Sequence, residues 1–216
     1  MKRVGILISG RGSNMVALLE GMRAGEIPGE AVLVVSNKAG TPGLAKARSF
    51  GVEAAVVPQH KGLARQEHDQ RVVALLERAG VDYVCLAGYM RILSAWFIER
   101  FPHRIINIHP ALLPSFPGLH AQRQALDQGA RISGCTVHFV DAQVDHGPTI
   151  VQAAVPVLPG DDEDALATRI LEQEHRIYPL ALKWLCEGRL RVEGRRVTVT
   201  GESVDVPAAM MVPTVD

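Results

Sequence analysis

Apolar and polar positions alternate with two different periods along the first hundred residues. Short apolar runs rich in β-branched residues are typical of buried strands, whereas apolar residues repeated every three or four positions indicate amphipathic helices. Strands are predicted at 4–9, 31–36, 52–57 and 81–87. Helices are predicted at 15–22, 41–50 and 63–79. Because the strand at 81–87 is apolar on both faces, it belongs in the middle of a parallel sheet covered by helices.

The second half of the chain continues this pattern and interrupts it with two loops. Strands are predicted at 105–109, 132–140 and 149–155, helices at 94–100 and 122–128, and a hairpin at 188–200. A long amphipathic helix follows Asp161 and Asp162, which suit a helix N-terminus. The loop at 110–120 holds three prolines and one glycine, and we expect it to be an ordered loop over a site.

These elements predict the fold class. We expect an α/β fold, Rossmann-like and doubly wound, with a mostly parallel central sheet, helices on both faces and a C-terminal β-hairpin. Residues 1–200 are expected to form a single domain, and residues 201–216 a flexible tail.

Composition narrows the classes of function. Lys plus Arg and Asp plus Glu both total 23 in 216 residues, so a zero net charge gives no support for binding nucleic acid or a membrane surface. The three cysteines are far apart and form no C-x-x-C, which favours reduced thiols. The N-terminal apolar run is too short for a signal peptide. We therefore expect a cytoplasmic protein.

A glycine turn separates the first strand from the first helix. Gly10 and Gly12 allow backbone N–H groups to approach an anion, and Ser13 and Asn14 add side-chain donors. The dinucleotide fingerprint needs a third glycine where this chain has Met15. A phosphate monoester therefore fits better than a dinucleotide, while a tight turn without a ligand is the alternative.

Two polar residues interrupt the apolar strand at 105–109. Asn107 and His109 are two positions apart, so both side chains point to the same side of the strand. An amide can donate to a developing oxyanion, and an imidazole can donate, accept or transfer a proton near neutral pH. The alternative is that both cap the strand end and bond to loop backbone.

Other polar residues are candidates for ligand contacts. Glu174 lies on the apolar face of the long helix, where a carboxylate needs either a structural ion-pair partner or a ligand group. The loop at 141–148 carries two carboxylates and a histidine. His120, His138 and His146 have no familiar ligand spacing, so no metal site is expected.

Taken together, five segments resemble the phosphoribosylglycinamide formyltransferases, folate-dependent enzymes of purine synthesis. The segments are 9–14 (SGRGSN), 90–93 (MRIL), 107–114 (NIHPALLP), 117–120 (PGLH) and 145–148 (DHGP). Within the wider folate-dependent formyltransferases, the glycine turn and the chain length favour this family. The chain departs from the family at Ala111, where relatives commonly have serine, and at the less usual Tyr89 and His146.

The resemblance implies transfer of the formyl group of 10-formyltetrahydrofolate to the amine of glycinamide ribonucleotide, without a metal, by a monomer or homodimer. Asn107 and His109 would donate to the tetrahedral oxyanion, and Asp145 would favour the imidazolium form of His109 and orient a water or the amine. The ribonucleotide would bind to Gly12, Ser13, Asn14 and Glu174. The folate would bind to Arg65, Met90, Arg91, Ile92, Leu93, Asp141 and Val144.

The same resemblance implies a phosphate-binding half at about 1–100 and a folate-binding and catalytic half at about 101–200. Two rival functions are a hydrolase that releases formate from the same folate and a binding module without catalysis. A hydrolase would not need the glycine turn for a second substrate, and a binding module would not need Asn107, His109 and Asp145 together.

Overall fold

The structure is a computed structural model that describes residues 1–60, 62–201 and 212. Its strands are β1 (Lys2–Ile8), β2 (Gly29–Ser36), β3 (Glu53–Val56), β4 (Tyr83–Leu86), β5 (Ile105–His109), β6 (Ile132–Phe139), β7 (Thr149–Pro156), β8 (Leu190–Glu193) and β9 (Arg196–Val199). Its helices are α1 (Ser13–Arg23), α2 (Pro42–Ser49), α3 (Arg65–Arg78), α4 (Ala95–Arg100), α5 (Ala121–Asp127) and α6 (Glu163–Cys186). These bounds agree closely with the elements predicted from the apolar pattern.

The central sheet has seven strands in the order β3-β2-β1-β4-β5-β6-β7. Strands β1 to β5 pair in parallel, and β6 and β7 add antiparallel strands at one edge. The mostly parallel sheet of the prediction is therefore confirmed. The chain first builds outward from β1 to β3 and then returns to place β4 on the other side of β1. Such a reversal opens a crevice at the carboxyl ends of the strands, where α/β proteins bind ligands.

Two buried apolar clusters cover the two faces of the sheet, as predicted for a doubly wound fold. Ile6 and Ile8 of β1 face the cluster that contains α1 and α6, whereas Leu7 faces the cluster that contains α3 and α4. The period-two alternation of a strand explains this division. On the α6 side, the Tyr178 hydroxyl lies 3.0 Å from the carbonyl oxygen of Leu86 and 3.2 Å from that of Ile106, so this helix is fixed against β4 and β5.

Strand β5 follows the same alternation and thereby directs the polar pair. Ile106 and Ile108 pack on the α6 side, and Ile105 packs on the α3 side. Asn107 and His109 share the parity of Ile105, so both point to the α3 side of the sheet, at the end where β5 stops.

The C-terminal hairpin is confirmed: β8 and β9 pair antiparallel in a separate two-stranded sheet. The predicted flexible tail at 201–216 lies outside the described residues except for positions 201 and 212. Among the helices that the structure describes, none has the length and apolar character needed to cross a membrane.

Candidate active site

A cavity of about 680 Å³ opens at the carboxyl ends of β4 and β5. This volume lies in the range of small-molecule sites, and the cavity lies at the carboxyl ends of strands, where α/β proteins bind ligands. The lining comes from the turn at 88–93, the end of β5, and parts of the segments at 118–122 and 138–145. The cavity therefore collects residues from distant parts of the chain.

Asn107 lies in the cavity lining and is held by His138 of the neighbouring strand. The two residues are paired in the β5–β6 register, and Asn107 Nδ2 lies 3.2 Å from His138 Nε2. His138 Nδ1 lies 2.8 Å from the carbonyl oxygen of Phe139, which can only accept, so Nδ1 carries the proton and Nε2 accepts from Asn107. Burial lowers the pKa of His138, which keeps the ring neutral and preserves this acceptor.

His109 is buried, and both of its ring nitrogens contact acceptors. Nε2 lies 2.9 Å from the carbonyl oxygen of Phe116, and Nδ1 lies 3.3 Å from Oδ2 of Asp145. The Phe116 carbonyl can only accept, so Nε2 of His109 carries a proton. The structure thus brings Asn107, His109 and Asp145 to one cavity, as the sequence analysis expected, with the carboxylate beside the ring.

Asp145 is held in an uncommon backbone conformation. Its φ of 50° lies in the left-handed region, which non-glycine residues rarely adopt outside constrained sites. Gly118 N donates to Asp145 Oδ2 at 2.8 Å, and Oδ1 lies 3.8 Å from His138 Nε2. The Asp145 carboxylate therefore lies close to both histidines and accepts a hydrogen bond from the loop above them.

Gly147 fixes the end of the loop that carries Asp145. A Cβ atom added at Gly147 would lie 1.8 Å from the carbonyl oxygen of Phe139, so only glycine allows this approach of the loop to β6. The position of Asp145 therefore depends on a backbone contact two residues further along the chain.

The proline-rich loop after β5 is anchored from below. Thr136 Oγ1 donates to the carbonyl oxygen of Ala111 at 2.7 Å and accepts from Leu113 N at 3.1 Å. Gln152 Nε2 donates to the carbonyl oxygen of Leu113 at 2.9 Å. The Ala111 side chain is fully buried. These bonds hold the loop that supplies the Phe116 carbonyl to His109.

The mouth of the cavity is apolar. Met90, Ile92 and Val144 line it, and their side chains are 60%, 48% and 48% exposed. Leu93, Arg91 and Asp141 also line the cavity. Arg65 is different, because it is an exposed residue at the start of α3 and is not part of the lining. Six of the seven predicted folate-binding residues are thus brought together and Arg65 is not.

The glycine turn lies beside this cavity without lining it. Gly12 has a φ of 69° and precedes α1, and Asn14 Nδ2 donates to Glu174 Oε2 at 2.7 Å. Burial raises the pKa of Glu174. Met90 N donates to Ser9 Oγ at 2.8 Å, which joins the start of the turn to the cavity. Of the predicted ribonucleotide residues, Asn14 and Glu174 are therefore in direct contact, and Gly12 and Ser13 lie at the start of α1.

Sequence reasoning missed His138 as a partner of Asn107. The signal was a histidine in an apolar strand, but its neighbour depends on the register between β5 and β6, which no local pattern reveals. Among the residues that the structure describes, no group of three or more His, Cys, Asp or Glu side chains is arranged to hold a metal ion.

Comparison with known proteins agrees with these features. The chain is 41% identical over 207 residues to phosphoribosylglycinamide formyltransferase of Escherichia coli (strain K12), covering 93% of this chain and 98% of that protein. It is 51% identical over 192 residues to the trifunctional purine biosynthetic protein adenosine-3 of Drosophila pseudoobscura pseudoobscura, covering 88% of this chain but 14% of that much longer relative.

Solved structures show the same similarity. The crystal structure of glycinamide ribonucleotide transformylase 1 from Symbiobacterium toebii matches with a TM-score of 0.90 at 53% identity, covering 92% of this chain and 94% of that chain. Residues 2–182 match the formyl transferase family, and this span includes every residue that lines the cavity. The chain therefore belongs to the formyl transferase family.

Proposed function

We propose that the chain transfers the formyl group of 10-formyltetrahydrofolate to the amine of glycinamide ribonucleotide, a step of purine biosynthesis. The observation that carries this proposal is the convergence of Asn107, His109, His138 and Asp145 in one cavity beside the glycine turn. The names of the full-length bacterial relative and of the solved structure support it.

Asn107 supplies a preoriented hydrogen-bond donor to the oxyanion. Attack of the amine on the formyl carbon produces a tetrahedral oxyanion, which preorganised donors stabilise. The amide has two N–H groups, one of which is bonded to neutral His138, so the second remains for the oxyanion. Because His138 restricts rotation of the amide, this donor is oriented before the substrate arrives.

His109 supplies positive charge close to the same atoms. Its N–H at Nε2 is bonded to the Phe116 carbonyl and reaches the oxyanion only by leaving that partner. Asp145 stabilises the imidazolium through Nδ1 and, with its second oxygen, orients a water or the amine for removal of a proton. The attacking amine loses one proton, and the departing folate nitrogen receives one.

The apolar mouth suits the folate. The exposed side chains of Met90, Ile92 and Val144 provide surface on which a planar ring system can pack. Arg91, with its Nε buried and without a partner among the described residues, and the exposed Arg65 would attract the glutamate carboxylates. We keep Arg65 in this role as a cation outside the cavity.

The glycine turn and Glu174 bind the ribonucleotide in this proposal. Backbone N–H groups at the start of α1, together with Ser13 and Asn14, would contact the 5′-phosphate. Glu174, which is positioned by the hydrogen bond from Asn14, would bind the ribose or the glycinamide end. The buried free thiols of Cys85, Cys135 and Cys186 fit a cytoplasmic enzyme, acting as a monomer or homodimer.

One assay tests the proposed function. Formation of tetrahydrofolate from 10-formyltetrahydrofolate is followed with and without glycinamide ribonucleotide, and formylated product is identified by mass spectrometry. We expect product only when both substrates are present. Release of free formate without the ribonucleotide would instead identify a hydrolase, and the absence of both reactions would favour a binding module.

A further inference from the structure

The loop at 141–147, which carries Asp145, is held from outside the cavity by the C-terminal hairpin. Arg195 lies in the turn between β8 and β9, and its Nη2 donates to the carbonyl oxygen of His146 at 2.7 Å. Its Nη1 lies 3.1 Å from Nδ1 and 2.9 Å from Nε2 of the same ring. Since the two ring nitrogens point away from each other, these nearly equal distances place the guanidinium against the ring as a whole. Arg195 thus contacts both the main chain and the side chain of His146.

His146 also contacts Asp141, a residue that lines the cavity. Its Nδ1 donates to Asp141 Oδ2 at 2.7 Å, and Asp141 Oδ1 accepts from Gln143 N at 2.9 Å. Both carboxylate oxygens of Asp141 are therefore occupied within the loop, although the residue lines the cavity. The chain of contacts runs from the hairpin through His146 and Asp141 to the segment that borders the site.

We propose that Arg195 is a positioning residue for the transfer reaction, which fixes Asp145 by holding His146. The inference rests on the proposed function, because it assigns a remote residue to the same site. Asp145 is next to His146 in the chain, has a left-handed backbone conformation and lies 3.3 Å from the His109 ring. A loop with such a constrained residue needs contacts that outweigh its conformational entropy, and charge-assisted hydrogen bonds are strong enough to contribute.

The role differs from that of a general stabiliser. Arg195 is exposed and does not line the cavity, so it touches neither substrate. Loss of Arg195 frees the loop that carries Asp145 and borders the apolar mouth of the cavity. The hydrogen bond between Asn14 and Glu174 is not affected. The folate KM and kcat should therefore change together, whereas the ribonucleotide KM should not. Unfolding of a fraction of the enzyme would lower kcat alone.

The experiment compares Arg195→Ala with two other variants. Arg196→Ala removes the same charge from the adjacent position of the hairpin, where the side chain makes no hydrogen bond or ion pair to any residue described. Arg195→Lys keeps the charge but cannot bond the carbonyl and cover the ring together. Steady-state kinetics are measured for both substrates, and amide hydrogen exchange is measured for residues 141–147.

We expect Arg195→Ala to lower kcat/KM for 10-formyltetrahydrofolate about tenfold and to accelerate exchange in the loop. Arg195→Lys should recover part of both effects, and Arg196→Ala should match the unmodified protein.

Three results would overturn the proposal. Unchanged kinetics and hydrogen exchange in Arg195→Ala would show that the contact between Arg195 and His146 does not fix the loop at 141–147. A loss of kcat in proportion to the loss of folded protein, with both KM values unchanged, would show that Arg195 contributes only to the stability of the fold. Equal effects of Arg195→Ala and Arg196→Ala would point to charge alone. If the unmodified protein transfers no formyl group, the proposed function fails, and hydrogen exchange still decides whether Arg195 holds the loop.

Discussion

The Asn107 amide depends on a neighbouring histidine for its orientation. His138 accepts from Asn107 Nδ2 only while its ring is neutral, and burial lowers its pKa in that direction. The reaction therefore depends on one hydrogen bond, from Asn107 to His138, which fixes the rotamer of Asn107. The free energy of this bond is small, but its effect on the geometry of the transition state is large.

Replacing this acceptor should lower turnover without weakening binding. We expect His138→Phe to reduce kcat about tenfold with little change in either KM, because the Asn107 donor acts on the transition state. His138→Gln should retain more activity, since the glutamine carbonyl can accept the same hydrogen bond. The decisive measurement is a double-mutant cycle with Asn107→Ala. Full additivity of the two losses would show that His138 does not act through Asn107.

Single residues also show where sequence reasoning was sufficient. The spacing of Asn107 and His109 predicted a shared side of one strand, and both residues line the same cavity at the end of β5. The contact of His138 with Asn107 could not be predicted in the same way, because it arises from pairing between β5 and β6. Strand periodicity is local information, whereas register between strands is not.

At the scale of elements, the loop after β6 is fixed by a backbone contact. Gly147 approaches the Phe139 carbonyl so closely that a Cβ atom would overlap it, and Asp145 lies two residues before this point. Gly147 therefore fixes one end of this loop, whereas Arg195 contacts the loop from outside through His146. The conformation of the loop is a property of the strand–loop–strand unit of β6 and β7 rather than of Asp145 alone.

Gly147→Ala should displace this loop and reduce catalysis. We expect kcat/KM to fall at least about tenfold, because Asp145 would move relative to His109. Gly160→Ala is the control for an added Cβ without overlap: the new Cβ meets no atom within 4 Å, although the φ of 86° at Gly160 adds backbone strain of roughly 1–2 kcal/mol. Thermal unfolding of both variants separates stability from catalysis. If the two variants lose the same small amount of activity, the close approach at Gly147 has no catalytic consequence.

Across the whole molecule, the order of elements was predictable and the shape of the site was not. Apolar periodicity was sufficient for the strands and helices, since each is a local pattern with its own period. The cavity, however, joins segments from Leu86 to Asp145 that meet because β4, β5 and β6 are neighbours in the sheet. Arg65 illustrates the limit, because a motif near a helix start does not reveal whether its side chain reaches the cavity.

Two buried groups give the whole molecule opposing responses to pH. Burial raises the pKa of Glu174 from its ordinary 4.5, so its contribution to stability is present below that value and is lost as the pH rises through the folded-state pKa. Burial lowers the pKa of His138 from its ordinary 6.5, so its contribution is full above 6.5 and is lost as the pH falls through the folded-state pKa. Between these ordinary values, the two slopes act in opposite directions.

Removing either group should therefore reveal the slope of the other. Glu174→Gln keeps an acceptor for Asn14 without the buried charge, so we expect a gain in unfolding free energy near neutral pH and a steeper rise of stability with pH from 4.5 to 6.5. His138→Gln should leave only the effect of Glu174, so the free energy of unfolding should fall as the pH increases. Urea unfolding at half-unit pH intervals measures both slopes. Parallel curves of unfolding free energy against pH for the unmodified protein and the two variants would show that folding changes the pKa of neither group. In a separate kinetic measurement, an unchanged ribonucleotide KM in Glu174→Gln would show that the charge of Glu174 has no part in substrate binding.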